Sequence, residues 1–89
     1  MMTLSDFALA VKTGQLADVD IITHSGLGRY GVQVRLTGSE YQELLKDSSG
    51  QPIFWLSLDS ARLRLRRMGY RWRVGLVVRV PQDEVIGRW

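Results

Sequence analysis

Residues 30–37, "YGVQVRLT", alternate without a break. Tyr30, Val32, Val34 and Leu36 point one way, and Gly31, Gln33, Arg35 and Thr37 the other. Period two with one apolar side marks a half-buried antiparallel strand. Such a strand must lay its apolar side on something. With 89 residues, 45% of them apolar, there is room for one core and one domain, residues 1–89. A core this small gives modest stability, which makes dimerisation a natural supplement.

The flanking segments supply partners for that strand. "LSDFALAVKTG" predicts a short first helix, with Ser5 as N-cap, Asp6 near the positive end of the helix dipole and Gly14 as the stop. Phe7, Ala10 and Val11 share one face. A first strand follows over about Val19 to His24, joined to Tyr30–Thr37 by a glycine-rich hairpin turn. Thr37-Gly38-Ser39 and "DSSGQP" read as further turns, and the apolar run Ile53–Leu56 as a strand that Pro52 opens. Ser57 caps the main helix, in which Leu58, Ala61, Leu65 and Met68 form one apolar stripe and Gly69 ends the element. "YRWRVGLVVRV" then alternates as a final strand, and "PQDEVIGRW" has room for one last helical turn. The expected class is α+β: a short N-terminal helix, an antiparallel meander of about four strands, one main helix packed on the sheet, and a final strand.

Charge is unevenly spread. Ten of the twelve basic residues are arginines, and six of those ten fall in "ARLRLRRMGYRWRV", residues 61–74. Residues 1–57 carry a net charge of −2 and residues 58–89 a net charge of +5. A basic C-terminal third attracts polyanions or an acidic protein surface, the face of a second copy included. Arginine chosen over lysine favours a two-pronged grip on phosphate or carboxylate. Arg62 and Arg66 are helix neighbours at i, i+4. Alternation places Arg71, Arg73 and Arg79 together on the open face of the sheet, where Arg35 joins them if its pairing allows. These six arginines are the expected polyanion contacts, the strand set before the helix set. The same alternation sends Tyr70 and Trp72 toward the core, and Trp55 and Trp89 are further stacking candidates.

Catalytic equipment is sparse in the sequence. "GLGRYG", residues 26–31, matches the dinucleotide string G-x-G-x-x-G, but it opens a strand where a pyrophosphate needs a helix N-terminus. His24 is the single histidine and there is no cysteine, so no zinc set forms, and His24 reads as a strand-end surface residue. Asp18 and Asp20 hold magnesium only weakly without a phosphate partner. No serine sits in a nucleophile elbow. The expectation is a non-enzyme without metal or cofactor. The N-terminus does not read as a secretory signal and no apolar run is long enough for a membrane span, so the expected location is the cytoplasm.

The chain resembles a family of small bacterial proteins of unknown function. The resemblance rests on "GQLADVDII", "SGLGRYGVQV", the turn built on Asp47, Gly50 and Pro52, the capped helix "SLDSARLRL", and Asp83, Glu84 and Gly87 near the end. Members often carry an acidic residue in the hairpin turn, where this chain has Leu27. The resemblance implies a small domain and brings no functional residue with it. Two functions stay open: a regulatory module that binds nucleic acid through its basic third, or a protein-interaction and homo-oligomerisation module.

Overall fold

A computed structural model describes residues 2–24 and 28–79. The elements in chain order are β1 (Met2–Thr3), α1 (Leu4–Lys12), β2 (Leu16–His24), β3 (Tyr30–Leu36), β4 (Gln42–Lys46), α2 (Leu58–Arg67) and β5 (Gly75–Arg79). The five strands form one sheet in the order β1-β4-β3-β2-β5. The class is α+β, with two helices among the described residues. The last helical turn read in residues 81–89 lies outside them.

The alternation in β3 does what it promised. Val32 and Val34 are fully buried, and Tyr30 and Leu36 pack against the same core. Their antiparallel partners on β2 are Ile21 opposite Val32 and Val19 opposite Val34. Leu45 on β4 and Met2 on β1 extend this apolar face. Phe7 and Ala10 from α1, with Ala61 and Leu65 from α2, cover it. Leu58 and Met68 complete the α2 stripe at its margins.

The sheet is mixed, which corrects the antiparallel meander. β2–β3 and β3–β4 are antiparallel, whereas β1 runs parallel to β4 and β5 parallel to β2. Following the ladder across, β1, β4, β2 and β5 all point the same way and β3 opposes them. The chain therefore makes two crossovers, β1–α1–β2 and β4–α2–β5. Parallel strands need such a helical return, whereas a tight turn permits only antiparallel neighbours. Both crossovers move in the same direction across the sheet. One rule of handedness then puts both helices on one face.

The predicted strand at Ile53–Leu56 is reduced to single bridges, Lys46 with Pro52 and Tyr30 with Trp55. β4 already pairs with the middle of that edge of β3, Gln33 to Arg35. The segment is left with the end beside Tyr30, where Tyr30 and Trp55 exchange backbone hydrogen bonds of 2.9 and 2.8 Å. The turn before it is tied by Asp47, whose carboxylate accepts from the backbone amides of Ser49 and Gln51 and from the Ser49 hydroxyl. The last of these bonds heads the causes that lower the Asp47 pKa.

The helix caps follow simple rules, with one change. Thr3, not Ser5, caps α1: its hydroxyl accepts from the Asp6 amide at 3.2 Å, and the Asp6 carboxylate accepts from the Thr3 amide at 3.0 Å. This reciprocal box satisfies two free donors, where Ser5 could satisfy one. Held by the Thr3 backbone amide first and its hydroxyl second, the Asp6 carboxyl ionises below its ordinary value. Ser57 caps α2 as expected, accepting from the Ser60 amide at 3.0 Å.

Leu65 is fully buried and Leu63, two positions away on α2, is half exposed. Leu65→Ala should cost about 2–5 kcal/mol of folding free energy, and Leu63→Ala no more than about 0.5 kcal/mol. Urea unfolding of the two variants checks this. Equal midpoints would place the α2 stripe on the wrong side.

Candidate functional site

The site is built by the way α2 ends. Gly69 has φ +91°, a left-handed conformation that costs glycine nothing. Its amide donates to the Arg66 carbonyl, and the Tyr70 amide reaches back to the Leu65 carbonyl, both at 3.0 Å. This is the double bond pattern of a Schellman cap, which fixes the residue after the glycine against the last turn. Tyr70 is thereby driven into the core. Its ring lies 5.9 Å from Phe7 at 57° and 5.5 Å from Trp72 at 54°. Its hydroxyl donates to the Arg73 carbonyl at 2.8 Å. Burial raises the Tyr70 pKa, and the negative fields of Asp18 and Asp20 add to it. The phenol therefore remains a neutral donor to higher pH than an ordinary tyrosine.

Residues 70–74 thus form a pinned, non-strand segment, and β5 begins only at Gly75. This moves the predicted site residues. Arg71 and Arg73 are exposed but do not lie on a strand, so they share no sheet face with Arg35. Arg71 instead joins Arg62 and Arg66 of α2 along one groove of about 190 Å³, floored by Leu65, Tyr70, Trp72 and Val74. None of the three has an ion-pair partner among the described residues. Arg35 does lie on the open sheet face, but it is engaged. Its guanidinium pairs with Asp18 at 2.6 Å and donates to the Ser39 carbonyl at 3.0 Å. Arg79 closes β5 opposite His24, which ends β2 as expected. The side chains of both lie outside the described part of the structure, as does Trp89.

Trp72 is the residue that alternation misplaced. It is 66% exposed, while Tyr70, two residues earlier, is buried. The signal that can find it is Gly69: a glycine cap makes Tyr70 the last residue of the helix motif, so strand periodicity does not start there. Tyr70 and Trp72 also form one wall of a second cleft of about 340 Å³, lined further by Ala10, Val11, Gly14, Leu16 and Ala17. Ala17 sits where the β2–β3 register slips between Leu16 and Asp18, a bulge that frees its position from the ladder.

"GLGRYG" runs into β3, with Gly31 inside that strand opposite Ile22 and no helix following. Among the described residues no three metal-ligating side chains come together, and no helix is long and apolar enough to cross a membrane. The chain matches no protein-family model, and no curated protein or solved structure is similar to it at a significant level.

The raised pKa of Tyr70 has a pH consequence of definite sign. The unfolded chain loses the phenol proton near its ordinary value of 10.0, and the folded chain holds it longer. The stabilisation is complete below the unfolded value and drains away as pH rises through the folded one. Wild type should lose stability between about pH 9 and about pH 11, either side of that ordinary value, more steeply than Tyr70→Phe. Urea midpoints at the two pH values test it, and parallel losses would count against it.

Proposed function

We propose that this protein is a non-enzymatic binding module for nucleic acid. The strand's phosphates lie in the groove of Arg62, Arg66 and Arg71. The observation that carries this is an exposed tryptophan, propped against a buried tyrosine, beside three arginines with no acidic partner among the described residues. Arginine grips phosphate oxygens with two parallel donors, and aromatic faces accept bases of any sequence. The bias of positive charge toward residues 58–89 steers a polyanion to this end of the chain. The cytoplasm is the compartment this reading fits.

A second reading has its own observation. β5 is an edge strand, and Leu76, Val77 and Val78 are 48%, 38% and 54% exposed. An apolar edge is a template for pairing with another strand. A second copy meeting it edge to edge would make the protein a homo-dimer.

Binding of a labelled oligonucleotide of mixed sequence at two salt concentrations separates the two. Arg66→Ala/Arg71→Ala should weaken binding and lower the salt slope by about two, near one for each phosphate no longer gripped. Arg64→Ala/Arg67→Ala removes the same charge away from the groove and should do less. Equal losses would mean a diffuse basic surface, and no binding at low salt would end the nucleic-acid reading. For the edge, sedimentation at increasing concentration should show a dimer that Val77→Lys dissociates. A wild type that stays monomeric rules the second reading out.

A further inference from the structure

We infer that the cleft between α1 and Trp72 receives one unstacked base, so that the ligand of the arginine groove is single-stranded. This rests on the nucleic-acid reading and goes a step past it, from charge to strand state. The cleft and the groove share a wall, formed by Tyr70 and Trp72. A strand whose phosphates lie along Arg62, Arg66 and Arg71 therefore has its next base within reach of the cleft.

The cleft is made for a flat ring. Its volume of about 340 Å³ falls at the small end of the range of about 300–1,000 Å³ usual for ligand pockets. Ala10, Gly14 and Ala17 keep it open because none carries a side chain beyond Cβ. Val11 and Leu16 add apolar surface to a mixed lining, and the Tyr70–Trp72 pair gives it an aromatic wall. Tyr70 is held by Phe7 and by its bond to the Arg73 carbonyl, so the inner ring of the pair is fixed and Trp72 leans on it. The bulge takes Ala17 out of the β2–β3 pairing, so it lines the cleft without breaking the rest of the ladder.

A duplex cannot use this arrangement. Its bases are stacked on each other and offer only their edges in the grooves. A single strand can splay one base out and stack it on an aromatic face. The charge beside the cleft selects a nucleotide over an uncharged aromatic ligand, because three arginines need an anion next to the ring.

The test compares one labelled single strand with the same sequence in duplex form. Ala17→Leu fills the cleft from an exposed position and leaves every arginine in place. Wild type should bind the single strand about 10-fold or more tighter than the duplex, the gain expected from one stacked base. Ala17→Leu should bring single-strand binding down to the duplex level and leave duplex binding unchanged. Trp72→Ala should lower single-strand binding by a larger factor than duplex binding, which covers the case that Ala17→Leu fails to fold, and Trp72→Phe should keep most of the single-strand binding. Equal affinity for single strand and duplex, or single-strand binding indifferent to Ala17→Leu, would overturn this inference while the arginine groove still stood. Equal loss of both forms would overturn it as well, since the cleft would then act through the fold. Binding of neither form would remove the nucleic-acid reading with it.

Discussion

The apolar face of three central strands has to be covered, and nearly everything in this chain follows from how that is done. Val19, Ile21, Val32, Val34 and Leu45 form a continuous buried surface. Neither helix is wide enough to cover it alone. Because both crossovers run the same way across parallel strands, handedness stacks α1 and α2 on that one face. Phe7 and Leu65, one from each helix, are the largest fully buried side chains with which they cover it. A core shared in this way makes the two helices interdependent, and the place where they meet is where the chain leaves α2.

That exit is decided by a single residue. Tyr70 fills the space beside Phe7, and the cap at Gly69 leaves it nowhere else to go. The cost of burying a phenol is offset by its hydrogen bond to the Arg73 carbonyl. With Tyr70 inside, the short run to β5 must turn outward, and it carries Arg71 and Trp72 with it. The candidate site is thus a by-product of closing the core. A structural anchor and an exposed platform are adjacent members of one aromatic pair.

The uncovered face of the sheet is handled differently. Ile22 is buried there, and Phe54 lies so close to Gly31 that a Cβ would touch the ring. Asp18 holds Arg35, and the Asp20 carboxylate occupies the space a Gly75 side chain would need. Gly75 is therefore the residue that lets β5 approach β2 closely at its first pair.

Local structure is legible from the order of residues alone. The period of two in Tyr30–Leu36, the stripe Leu58, Ala61, Leu65 and Met68, and the stops at Gly14 and Gly69 are all properties of neighbouring residues. Each is set by backbone sterics and side-chain spacing within one element. The α+β class follows from them. Features that need two distant segments come from the packed fold instead. β1 is two residues long and exists only because β4 offers it an edge. The run Ile53–Leu56 has strand propensity, but β4 holds the middle of the edge it would pair with. Trp72 has the alternation of a core residue and is exposed because Tyr70 takes the core place beside Phe7, 63 positions earlier in the chain. Arg71 joins Arg62 and Arg66 for the same reason. Strand direction, edge competition and core capture depend on contacts between remote parts of the chain, and no local pattern encodes them.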